Sequence, residues 1–114
     1  MVQRFDTSAR LSEMTIHNGI AWLAGQVAAD GQGDIVQQTR AVLASIDALL
    51  ARAGTHKGNI VMAQIFLADL ADFPGLNQVW DAWVAPGAAP ARATVQAALA
   101  RPEWKVEIVV TAAI

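Results

Sequence analysis

The chain has 114 residues, with eight basic and ten acidic side chains and a net charge of −2. It holds no cysteine, which excludes disulfides, thiol nucleophiles and thiolate metal sites. The cations are scattered and no run of about 18 apolar residues occurs, so neither nucleic acid nor membrane is an expected partner, and the cytoplasm is the expected compartment.

In chain order, SEMTIH (12–17) and IAWLAGQV (20–27) are two strand-like runs. Asn18-Gly19 between them is the signature of a type I′ hairpin turn, whose two central residues need positive φ. ADGQGD (29–34) is a loop by composition. Asp34 then stands as an N-cap. Val36, Thr39, Leu43, Ile46, Leu50 and Ala53 recur at helical spacing, which predicts a helix over 34–53 with Gly54 as its terminator. Residues 59–68 form a mostly apolar strand. A second helix is expected over 72–84, capped by Asp72, with Pro74 near its start and Leu76, Val79, Trp80 and Trp83 on one side. APGAAP (85–90) connects it to strands over 91–99 and 104–112.

The expected order is β-β-α-β-α-β-β. It describes one α+β domain with two helices on one face of a mixed sheet. The other face is left to a partner. Charged residues are only 16% of the chain, against about 25% in typical soluble domains. Both points favour association of several copies.

The last two strands carry the chemistry. Arg92, Thr94 and Gln96 alternate with Ala91, Ala93 and Val95. Lys105, Glu107 and Thr111 oppose Val106, Ile108 and Val110. If the two strands pair as a hairpin, both polar rows share one side of the sheet. With Leu99 opposite Trp104, Arg92 and Glu107 would stand about 13 Å apart along the strands, at ~3.3 Å per residue.

Taken alone, these residues allow more than one reading. Arg92 is a fixed, planar cation suited to a bidentate grip on a carboxylate, or else a solvated strand arginine. Glu107 suits proton transfer and the handling of a water, or else an ion pair within an interface. Thr94 helps through its backbone carbonyl, which any residue supplies, and its hydroxyl is read as a strand preference. Asn77 shapes a site or braces the second helix. His17 and His56 are far apart in a chain without cysteine, so no metal site is expected. Trp22, Trp80, Trp83 and Trp104 read as core or interface anchors. No glycine-rich phosphate loop is present, and no spacing supports a Ser-His-Asp triad.

APARATVQAAL (89–99) and VEIVVTAA (106–113) together resemble the C-terminal signature of the RidA/YjgF-type reactive intermediate deaminases, the Rid family. HNGIAWLAGQV resembles that family's first hairpin. ALLARAGTHKGNIVMAQIFLADLADFPGLNQVWDAWV resembles its long helix, central strand and second helix. The likeness spans nearly the whole chain in order. It implies a chorismate-mutase-like fold and a homotrimer with sites at the subunit clefts. It also implies cofactor-free hydrolysis of 2-imino or 2-enamino acids to 2-keto acids and ammonia. By that likeness Arg92 holds the substrate carboxylate and Glu107 places or activates water. Thr94 stands where the best-known branch has cysteine. Asn77, Gly25 and Gln26 match family positions. Ala24 and Leu11 depart from the family, replacing a serine and a tyrosine, so two site hydroxyls are missing. A non-catalytic binder of small carboxylates or chaperone-like trimer is the second expectation. Ribonuclease activity is the third, and it is disfavoured by the acidic balance.

Overall fold

The computed structural model describes residues 1–114. Asn18 and Gly19 take φ of 50° and 76°, the positive pair that a tight hairpin needs. They join β2 (Met14–His17) to β3 (Ile20–Leu23), with His17 opposite Ile20. The first helix, α1 (Ile35–Arg52), opens on a capping box. Asp34 Oδ1 accepts from the Gln37 N–H, and Gln37 Oε1 accepts from the Asp34 N–H, both at 2.9 Å. It closes on Gly54, at φ 77°, with the Gly54 N–H on Ala51 O and the Thr55 N–H on Leu50 O. This is the double bond of a Schellman ending.

β4 (Ile60–Leu67) follows, then α2 (Phe73–Trp83), β5 (Ala91–Gln96) and β6 (Val106–Ala113). Two details depart from the sequence reading. Asp72 stands at the start of α2, but its side chain accepts no capping hydrogen bond. Asp69 does this work one turn earlier, accepting from the Ala71 N–H at 2.9 Å to cap a 3-10 turn over Leu70–Asp72. A further strand, β1 (Gln3–Phe5), pairs with β2 and places Phe5 opposite Met14. Three residues are too few to show a period in the sequence, so this strand is defined only by its pairing.

The sheet order is β1-β2-β3-β6-β4-β5. The expected terminal hairpin is therefore not formed, because β4 lies between β5 and β6. The connectivity supplies the reason. α2 is the crossover of a β4-α2-β5 unit, which makes β5 a parallel neighbour of β4. The chain then returns on the other side, and β6 runs antiparallel to both β4 and β3.

The register decides which side chains share a face. Ile65 of β4 stands opposite Ile108 of β6 and Thr94 of β5, and Ala63 stands opposite Val110 and Arg92. Ile65, Ile108, Ala63 and Val110 belong to the 19-residue core that α1 and α2 cover. Arg92, Thr94 and Gln96 thus lie on the helix side. Glu107 stands opposite Phe66, on the helix-free side with Val109 and Thr111. The expectation that Arg92 and Glu107 share a side of the sheet is overturned by the interposed strand.

The core takes Val42, Leu43, Ile46, Leu49 and Leu50 from α1 and Leu76, Val79 and Trp80 from α2. Each fully buried aliphatic side chain there contributes roughly 1.5–3 kcal/mol. Gln38 is the polar exception, with no exposed surface. Its Nε2 donates to Glu103 O at 3.0 Å, and its Oε1 accepts from the Lys105 N–H at 2.9 Å. It pins the long loop before β6 to α1. No helix is long and apolar enough to cross a membrane.

Candidate active site

The candidate residues fall into two groups, one on each face of the sheet. The first is built by β5 and α2. Phe73, Asn77 and Trp80 are spaced four and three residues apart, so they share a face of α2. The Arg92 guanidinium carbon sits 5.2 Å from the Trp80 ring centre and 5.8 Å from that of Phe73. Cation–π attraction holds the side chain between them without neutralising it. Arg92 has no carboxylate partner, since the two ion pairs of the chain are Arg52–Asp6 and Arg101–Glu103.

The same two elements carry two buried oxygens without a hydrogen-bond partner, Thr94 Oγ1 and Asn77 Oδ1. An unpaired buried polar atom costs roughly 1–3 kcal/mol. Thr94 lies two residues along the same face of β5 from Arg92, and Asn77 lies between Phe73 and Trp80 on α2, so a free cation and two unsatisfied oxygens belong to one side of the sheet. Sequence reasoning found Arg92, Thr94 and Asn77 and missed the aromatic walls. Their only signal was helical spacing toward Asn77.

The second group surrounds Glu107 on the helix-free face. β3 ends at Leu23, but its partner strand continues, and Gln26 bridges Ile108 through N–H···O bonds of 2.9 and 3.1 Å. Trp22 pairs with Thr111 and Gln26 with Ile108, so the chain gains one residue over the β6 ladder between them. That extra residue is a bulge at Ala24-Gly25. The Glu107 carboxylate lies against Gly25, and a Cβ there would fall 2.1 Å from its Oε2. The Gln26 side chain donates to Glu13 Oε2 at 3.2 Å and to Ala24 O at 3.1 Å. Leu11 is half exposed in the loop between β1 and β2, two residues before Glu13. Glu13 was not singled out in the sequence.

The two groups cannot meet on one molecule within a single chain. Arg92 and Glu107 are two strands and three residues apart, or about 14 Å between α-carbons from ~4.8 Å and ~3.3 Å spacings. They also point to opposite sides. No three His, Asp or Glu side chains converge as metal ligands would. His56 is engaged locally, its Nδ1 accepting from the Gly58 N–H at 3.1 Å.

A family profile described as "Endoribonuclease L-PSP" matches residues 1–114. A RutC family protein of Haemophilus ducreyi is 53% identical over 114 residues, which is all of this chain and 97% of that one. The chain belongs to this family. A crystal structure of a YjgF family member from Neisseria meningitidis superposes with a TM-score of 0.96 at 46% identity, covering 99% of this chain and 94% of that one. Among the relatives, a protein of Acinetobacter baylyi named 3-aminoacrylate deaminase RutC is 41% identical over 76 residues, 67% of this chain and 60% of that protein. The Rid resemblance read from the hairpin and the C-terminal segment is thereby established, along with its fold of two helices on a mixed sheet.

Proposed function

We propose that the chain is a cofactor-free hydrolytic deaminase of reactive 2-imino and 2-enamino acids, working as a homotrimer. The observation that carries this reading is Arg92, a cation without an acid partner, walled by Phe73 and Trp80, with the unpaired Thr94 and Asn77 oxygens on the same two elements. A planar guanidinium in that setting suits a planar carboxylate. The deaminase among the relatives supports the reaction class.

In the proposed reaction Arg92 grips the carboxylate and fixes the adjacent C=N. A water adds to that carbon, and Glu107 takes a proton from the water and returns it to the nitrogen. Collapse of the carbinolamine breaks the C–N bond and releases one 2-keto acid and one ammonia. Positioning and a dry, oriented site can supply most of the acceleration. Because Arg92 and Glu107 face opposite sides of one sheet, each site takes Arg92 from one copy and Glu107 from its neighbour. Asn77 and Thr94 then line the Arg92 wall, while Ala24, Gly25 and Leu11 line the Glu107 wall. The apolar Ala24 and Leu11 bear on the range of substrates.

The test is release of keto acid and ammonia from an imine generated by a second enzyme. Arg92→Ala should lower kcat/KM by at least roughly thirtyfold, the loss of about 2 kcal/mol from charge-assisted bonds. Keto-acid binding without turnover would replace the enzyme by a carboxylate-binding module. That alternative has one observation in its favour, the two missing hydroxyls at Ala24 and Leu11. Salt-sensitive RNA cleavage would favour the endoribonuclease activity that the family is named for.

A further inference from the structure

A groove of about 340 Å³ opens between α1 and the C-terminal half of α2. It is separate from the residues above, because Phe73, Asn77 and Trp80 face β5 while the groove takes Val79, Ala82 and Trp83 from α2. Leu43 and Val79 are buried and form its floor, and the small Ala44 and Ala82 leave it open. The volume suits a small organic molecule.

Three charged groups line this groove, and none pairs with another. Asp47 Oδ2 accepts from the Trp83 indole N–H at 2.9 Å, and its Oδ1 has no donor. Lys57 Nζ lies 5.2 Å from the centre of the same indole ring and makes no hydrogen bond or ion pair. One tryptophan therefore carries a carboxylate at its edge and an ammonium over its face, held beyond contact with each other. Arg40, seven residues before Asp47 on α1, stands about 10.5 Å up the helix axis at 1.5 Å per residue. It too has no acid partner.

A simple carboxylate bound here would face Asp47. A simple amine would face Lys57 and Arg40. A molecule with both charged groups attached to one carbon would bridge the gap and extend an apolar tail along the floor. We propose that the groove binds a free α-amino acid with an apolar side chain. Its ammonium sits on Asp47 Oδ1, its carboxylate on Lys57 Nζ, and its side chain over Leu43, Ala44, Val79 and Ala82. This site does not depend on the reaction proposed above.

The experiment is an NMR titration of the full chain with L-leucine, following the Trp83 indole N–H and the Ala82 amide. 4-Methylpentanoate and 3-methylbutylamine are the comparison ligands, each lacking one charge. Saturable millimolar binding of leucine is expected, with each analogue about fivefold weaker, as for one surface ion pair. Asp47→Asn keeps the bond from Trp83 and should weaken leucine about fivefold while sparing 4-methylpentanoate. Equal binding of leucine and 4-methylpentanoate would make this a plain anion site and overturn the proposal. So would equal binding of the amine, or no saturable shift at tens of millimolar leucine.

Discussion

Gly25 lacks a side chain at the one place where the Glu107 carboxylate needs the room. An added Cβ would fall 2.1 Å from Oε2 and 2.8 Å from Cδ. Those atoms end a flexible side chain, so the carboxylate would swing aside and the backbone would hold. Gly25→Ala should therefore leave the thermal melt within about 1 kcal/mol of the parent and lower kcat at least about tenfold, with KM little changed. Steady-state kinetics beside a melting curve would check it, and an unchanged kcat would detach Glu107 placement from Gly25. At this scale much was legible. Arg92 stood out as a fixed charge in an apolar strand, and the Asn18-Gly19 turn as two residues suited to positive φ. Phe73 and Gln38 did not stand out, and Trp80 read as a core or interface anchor. Their roles come from contacts across the fold, and a tryptophan at helical spacing reads the same whether it meets a core or a cation.

Elements were legible where their signals are local. The ends of α1 are written in Asp34, Gln37 and Gly54, and the helix begins and stops beside them. Asp34→Ala removes the cap acceptor and should cost about 1 kcal/mol, read from the denaturation midpoint. Strand order was not legible, because pairing is set by connections and by the core rather than by neighbours in sequence. β1 is the clearest case. It is held at the sheet edge by its ladder to β2 and by Arg52, which donates two bonds to Asp6 at 2.7 and 3.0 Å and lies 5.3 Å from the Phe5 ring centre. Those bonds hold the Asp6 carboxyl below its ordinary value of 3.8. The folded chain then takes up this proton at lower pH than the unfolded chain does. The stabilisation is full above that ordinary value and is lost as pH falls through the lowered one. Asp6→Asn tolerates the same positive φ and removes the charge together with one of the two acceptor oxygens. Its melting temperature should trail the parent's by a constant gap near neutrality, and the gap should close as the medium becomes strongly acid. Both partners are exposed, so added salt should narrow it as well.

For the whole molecule the helix-free face matters most. Across β3, β6, β4 and β5 it presents Trp22, Met62, Phe66, Val95 and Val109, with Glu107 as its only charge. Trp22 and Val95 are 43% and 48% exposed in the isolated chain. Such a surface calls for cover, and the low charge content carried the same message in the sequence. What the sequence could not carry was the placement of Arg92 and Glu107 on opposite faces, because that follows from β4 lying between β5 and β6. That placement has a quantitative consequence for the proposed trimer. Arg92→Ala retains Glu107, and Glu107→Ala retains Arg92, so each variant alone should keep at most a few per cent of the parent activity, on the order of the thirtyfold loss above. Unfold the two together in equal amounts and refold them. Three quarters of the closed trimers will then be mixed, and each mixed trimer will hold one complete site of its three. Activity should return to about one quarter of the parent value, from threefold closure alone. A site that drew both residues from the same chain would stay at that residual level in the mixture. The mixing assay therefore reads directly whether the two faces of this sheet serve different copies.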